Sequence, residues 1–239
     1  MLIEGGISIK ACINAKKRNI EVVYIDANKK TKDFNYIRKL MKTNNINYKE
    51  ISRDEFANFT SGKTHGGIIA MVNQRKDDEF DDGDIFYLDG IEDPFNIGYI
   101  LRTLYAFGVK NVFLPLRDYS NFEGQILKSS AGAYEMMNIK FIDKAEEVIK
   151  EYKEKGYTTY ALKRGEDAID MFEERFSDKA FFLLGGEKRG ISSSLIEMCD
   201  RYLYIPYGSD FRNSLNAAGA SDVVATLLFA QRKHDWIIR

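Results

Sequence analysis

Histidine, cysteine and proline are scarce in this 239-residue chain, which has 2, 2 and 3 of them. The cysteines, Cys12 and Cys199, stand far apart and form no CxxC pair, which suits a reduced, cytoplasmic protein without structural zinc. His65 and His234 are too few for a histidine-rich metal site, so no metal is expected. Neither has a neighbourhood that suggests the base of a hydrolase triad. No segment approaches the roughly 20 apolar residues needed to span a bilayer. The opening "MLIEGGISIK" lacks a basic region followed by an apolar run, so a secretory signal is not expected there. Low-complexity tracts are lacking too.

Charge is abundant and unevenly spread. The net charge is -1, which alone argues against a nucleic-acid partner. Residues 1–75, however, hold 14 Lys and Arg against 7 Asp and Glu, and the remainder holds 21 against 29. A basic front on an acidic body points to a polyanion at the front, although solvated surface lysines give the same count.

Hydrophobic periodicity divides the chain. In residues 1–73, "EVVYIDA" (21–27), "INYKEIS" (46–52) and "GGIIAMV" (66–72) read as strands. "KDFNYIRKLMKTNN" (32–45) places Phe34, Ile37, Leu40 and Met41 at helical spacing. That makes a small mixed domain with one β-α-β unit. The charged stretch 74–83 reads as a linker. In 84–239, apolar strands at 84–91, 111–116, 157–163, 178–187 and 201–208 alternate with helices at 94–108, 143–156, 192–200 and 214–233. Continuous apolar strands between helices predict a parallel sheet covered on both faces, with ligands beyond the carboxyl ends of its strands.

Three loops at strand ends draw attention. In "EDPFNIGYILR", Asp93 can cap a helix that opens on Pro94. Positions 98, 102, 106 and 109 then share a face, placing Arg102 between Gly98 and Ala106, with Asn96 near the helix start. By itself this segment also reads as a capped packing helix. "FLLGGEKRGIS" puts three glycines within six residues after an apolar strand, but has neither phosphate-cradle spacing. "YIPYGSDFRNSLNAAGA" closes a strand and opens a helix, with Asn213 or Ser214 as its cap.

Together these loops resemble the TrmH/SpoU family of RNA ribose 2′-O-methyltransferases, in the SPOUT superfamily. The first family motif is matched by Asn96, Gly98 and Arg102, and the second by "LLGGEKRGIS" with Gly185, Glu187 and Gly190. The third is matched by Ile205, Pro206 and "SLN" at 214–216. Each is weak alone; three in this order are specific. The front segment, through "GKTHGGIIAMV", resembles the small substrate-binding domain that precedes the catalytic domain in many members, so the likeness covers nearly the whole chain.

The resemblance implies a parallel α/β domain with helices on both faces and a C-terminal trefoil knot, preceded by a small α/β RNA-binding domain. It implies S-adenosylmethionine as cofactor, a homodimer, and methyl transfer to a ribose 2′-hydroxyl of ribosomal or transfer RNA. By motif position, Leu184, Gly185, Gly186, Gly190, Ile205, Pro206 and Leu215 are expected at the cofactor, and Arg102, Asn96, Glu187, Ser214 and Asn216 at the reaction. A guanidinium with a pKa above about 12 is a poor base, so Arg102 is expected to bind phosphate and ease the hydroxyl's proton. Two departures stand out. Ala217-Ala218 replaces the Val-Ser that often follows "SLN", and "GSDFRN" adds Asp210 and Arg212 to the preceding loop. A non-catalytic RNA-binding protein of the same fold is the competing class.

Overall fold

The computed structural model describes residues 1–60, 65–75, 77–186 and 189–237, with side chains in the last helix as far as 233. In chain order its first elements are β1 (Leu2–Glu4), α1 (Gly6–Ala15), β2 (Ile20–Asp26), α2 (Lys32–Thr43), β3 (Tyr48–Ile51), β4 (Ile68–Val72), β5 (Ile85–Asp89) and α3 (Pro94–Ala106). There follow β6 (Asn111–Pro115), α4 (Glu123–Ser129), α5 (Ala133–Met136), β7 (Asn138–Ile142), α6 (Ala145–Glu154) and β8 (Thr158–Leu162). The last are β9 (Ile169–Asp170), β10 (Ala180–Gly185), α7 (Ser193–Met198), β11 (Arg201–Tyr204) and α8 (Ala217–Ile237). Two compact units result, Met1–Lys76 with Asp118–Met136, and Asp77–Arg117 with Met137–Arg239.

The first unit carries a sheet in the order β1-β4-β2-β3. β2 and β3 are parallel and joined through α2, while β4 runs antiparallel to β1 and β2. α2 forms because Phe34, Ile37 and Met41 recur on one buried face and the Thr31 side chain accepts the Phe34 amide. β1 and α1 escaped the periodicity reading, since a three-residue strand is too short to display alternation.

Residues 118–136 also belong here, although their polar sequence gave them no element. The reason is a buried ion cluster. One nitrogen of Arg18 lies 2.6 Å from a carboxylate oxygen of Glu123 and 2.6 Å from one of Glu135. Arg75 donates to the Tyr134 carbonyl and lies 3.9 Å from Glu135. Burial alone would loosen the proton on Arg18, but the two carboxylates outweigh it and hold its pKa above the ordinary arginine value. The nearby Cys12 thiol is pushed far up, by burial first and by Glu135 next.

The second unit carries a seven-stranded sheet, β7-β6-β5-β10-β8-β11-β9, with every pairing parallel. Its central strands β5, β6 and β10 are largely apolar and buried, as strands covered on both faces must be, whereas β7, β9 and β11 toward the edges carry polar residues. The neighbours Phe181 and Phe182 point to opposite faces. Phe181 packs with Phe113 and Tyr152, and Phe182 with Phe86, Tyr160 and Phe176. α8 is tied to the foot of the sheet, where Arg232 donates twice to the Asp84 carboxylate, at 2.7 and 3.1 Å.

Breaking the buried cluster on one side leaves charge without a counterion. Arg18→Met is therefore expected to lower stability by about 3–5 kcal/mol in urea unfolding. A midpoint equal to wild type would mean that Glu123 and Glu135 find other partners.

Candidate active site

The strand order reverses between β5 and β10, the position at which open parallel sheets bind ligands beyond their carboxyl ends. Here the two strand ends are laced together. The Gly186 amide donates to the Asp89 carbonyl at 2.9 Å, and the Gly190 amide to the Gly186 carbonyl at 2.8 Å. The Ser192 amide donates to the Asp89 carboxylate at 2.8 Å. At Gly185 and Gly186 the backbone approaches so tightly that a side chain is excluded. A Cβ on Gly185 would stand 2.2 Å from the Gly190 carbonyl carbon, and one on Gly186 would stand 2.3 Å from the Gly90 oxygen.

Beside this turn lies a pocket of about 200 Å³ over the ends of β8, β10 and β11. Of the residues expected at the cofactor, it is lined by Leu184, Gly185, Gly186, Gly190, Ile205 and Leu215. Pro206 lies instead on the adjoining groove with Tyr207 and Phe211. Leu203, Ala217 and Ala220 extend the apolar wall. A second cavity of about 500 Å³, lined by Gly90, Asp93, Asn96 and Arg189 among others, shares Gly186 and Ala217 with the first.

The residues expected at the reaction fall in different places. Asn96 lines the second cavity and Ser214 the first. Asn216 is the cap of α8: its side-chain oxygen accepts the Gly219 amide at 2.7 Å, three residues on. The helix thus begins after 216, and neither Asn213 nor Ser214 caps it. Glu187 lies outside the described residues. Asp93 caps α3, accepting the Phe95 amide ahead of Pro94. Arg102 projects from an exposed face of α3 and lines neither cavity. It has no hydrogen bond or ion pair among the described residues. Gly98 and Ala106 stand one turn either side of it, as the spacing predicts, but Val109 lies beyond the helix end. Gly98 and Val109 are buried, and the exposed stripe is Phe95, Tyr99, Arg102 and Ala106. α8 packs against α3, and that packing decides which face is covered.

Sequence reasoning missed Lys163, Arg164 and Tyr207, which also line the first pocket. Arg164 follows one predicted strand and Tyr207 lies near the end of another, 43 positions on, so only the fold shows that they meet.

The strand-end pocket and the laced glycine turn define a parallel α/β protein with cavities beyond the carboxyl ends of its strands. Its family follows from sequence: residues 84–226 match the model of the SpoU rRNA methylase family, and the chain belongs to that family. Residues 2–77 match the model for RNA 2′-O ribose methyltransferase substrate binding. A TrmH family tRNA/rRNA methyltransferase of Staphylococcus saprophyticus is 27% identical, over 98% of this chain and 97% of its own length. Among solved structures, the SpoU methyltransferase AviRb from Streptomyces viridochromogenes, in complex with AdoMet, superposes with a TM-score of 0.81. It is 20% identical and aligns over 97% of this chain and 90% of its own. The AdoMet-bound rRNA methyltransferase of Sinorhizobium meliloti gives a TM-score of 0.76 at 18% identity, over 98% of this chain and 87% of its own.

Gly186→Ala is expected to cost about 1–3 kcal/mol in thermal or urea unfolding, because the new methyl meets a backbone carbonyl. Gly208→Ala is the control, since nothing stands within 4 Å of a Cβ there. Equal stability of the two variants would contradict the close approach at Gly186.

Proposed function

We propose that this chain transfers the methyl group of S-adenosylmethionine to a ribose 2′-hydroxyl of RNA, with ribosomal RNA the favoured target. The observation that carries the proposal is a pair of cavities at the glycine turn that share Gly186 and Ala217 in their walls, one largely apolar and one bearing Asn96. The first fits the cofactor. Leu184, Leu203, Ile205, Leu215 and Ala217 offer apolar walls to an adenosyl group, and Gly185, Gly186 and Gly190 offer backbone without side chains of their own. When bound, the sulfonium supplies a methyl group already activated for in-line displacement. The work left to the protein is alignment and relief of the hydroxyl proton.

In this reading Arg102 binds the phosphate beside the target ribose and lowers the effective pKa of its hydroxyl. Asn96 and Ser214 orient ribose and cofactor from the two cavities. Glu187 acts with them, by its place in the motif. Asn216 serves indirectly, by fixing where α8 begins beside Ser214 and Leu215. The front unit binds the RNA around the target, in keeping with the basic balance of residues 1–75 and with the match over 2–77. A ribose in a single-stranded loop or kink is the accessible kind.

A homodimer completes the proposal. Phe95, Tyr99 and Phe229 are 50%, 49% and 42% exposed on the paired helices α3 and α8. A second copy seated on that face would cover three rings and enclose Arg102, supplying the dry surroundings in which its charge acts strongly. The trefoil knot of the family and a cytoplasmic setting belong to the same reading. Among the described residues no helix is long and apolar enough to cross a membrane.

Saturating S-adenosylmethionine, at about 100 times its Kd, is expected to raise native stability by about 2.7 kcal/mol. Arg102→Ala is expected to keep that thermal shift while losing methyl transfer to RNA. The absence of a shift in wild type would refute the cofactor assignment, and turnover retained by Arg102→Ala would refute the role given to the arginine.

A further inference from the structure

Residues 205–216 cross the mouth of the first pocket without a helix or strand, and 208–216 are exposed throughout. Yet this loop supplies Ser214 and Leu215 to the pocket wall. Something must hold it in place, and one side chain accounts for most of the restraint. Arg164, two residues beyond the end of β8, donates from one terminal nitrogen to the Arg212 carbonyl at 2.6 Å. Its other terminal nitrogen donates to the Asn213 carbonyl at 3.0 Å. Its guanidinium lies over the Tyr207 ring, 4.4 Å from the centroid. The Tyr207 hydroxyl in turn accepts the Leu215 amide at 2.9 Å, and the Phe211 ring packs 6.0 Å from that of Tyr207.

We propose that Arg164 is a positioning residue for the cofactor pocket, its planar fork clamping residues 207–215 so that Ser214 and Leu215 form the wall before the ligand arrives. The proposal rests on the reading of this pocket as the S-adenosylmethionine site. The physical reason is preorganisation. An exposed loop free of the clamp must be ordered at the moment of binding, and that entropy is taken from the affinity. Lysine cannot substitute, because a point charge on a flexible stem neither bridges two adjacent carbonyls nor stacks flat on a ring. The two carbonyls and the ring engage the guanidinium on separate sides, so the fork is used for geometry and not only for charge.

Hydrogen exchange on the full chain without cofactor reads the clamp itself. Arg164→Ala is expected to speed exchange of the Leu215 amide by at least about tenfold and to leave the β10 amides unchanged. Tyr207→Phe, which removes only the acceptor, is expected to speed the same amide. Calorimetric titration with S-adenosylmethionine is expected to show Kd raised at least about tenfold in Arg164→Ala, with little recovery in Arg164→Lys. Wild-type exchange at Leu215 in Arg164→Ala overturns the clamp. Full recovery of affinity in Arg164→Lys overturns it as well, since charge alone would then suffice. A wild-type chain that binds no S-adenosylmethionine overturns the function proposed above, and the exchange result still decides the clamp by itself.

Discussion

Everything at the candidate site depends on how closely two pieces of backbone approach between β5 and β10. The Gly186 amide reaches the Asp89 carbonyl at 2.9 Å, and a Cβ on Gly186 would fall 2.3 Å from the Gly90 oxygen. Only a residue without a side chain can stand there. The approach brings the end of β5, which leads to Asn96 and α3, against the turn that walls the first pocket. Gly186 lines both cavities for that reason.

The rest of the second unit follows from this joint. The parallel sheet sets β5 and β10 side by side in register from Ile85 and Phe181 to Asp89 and Gly185. Asp89 then serves twice, with its carbonyl for Gly186 and its carboxylate for the Ser192 amide. On the far side of the pocket the wall is a loop rather than a strand, held by Arg164 and Tyr207. The pocket therefore has one rigid side and one side whose order depends on a few polar contacts. Arg102 stands apart from both, exposed beside Phe95 and Tyr99. The ligand role proposed for the pocket and the RNA role proposed for Arg102 thus fall on different surfaces of the chain.

Much of this was legible in the sequence, for physical reasons. Near-continuous apolar strands announced a parallel sheet, and three glycines after "FFLL" announced a tight, backbone-exposed turn. Asp93 before Pro94 announced a helix start that the structure forms. What stayed hidden depended on partners distant in the chain. The burial of Glu123 and Glu135 had no local signal, because their counterion, Arg18, is more than 100 residues away. The exposure of Phe95 and Tyr99 beside Arg102 was not legible, because periodicity gives the spacing of a stripe, not which stripe α8 will cover. The cap of α8 was misplaced because Asn213, Ser214 and Asn216 are all suitable residues, and only the bond to Gly219 selects Asn216. Arg164 had no signal at all: its ring and its two carbonyls lie 43 to 49 positions on.

The central claim is a methyl transfer to ribose oxygen, and the chemistry of the product tests it most directly. RNA incubated with the wild-type chain and S-adenosylmethionine labelled in the methyl group should acquire label. After complete alkaline hydrolysis the label should sit in dinucleotides, because a methylated 2′-oxygen cannot attack the neighbouring phosphate and that linkage survives. Label released in mononucleotides would place the methyl group on a base, and RNA that acquires no label would contradict the account altogether.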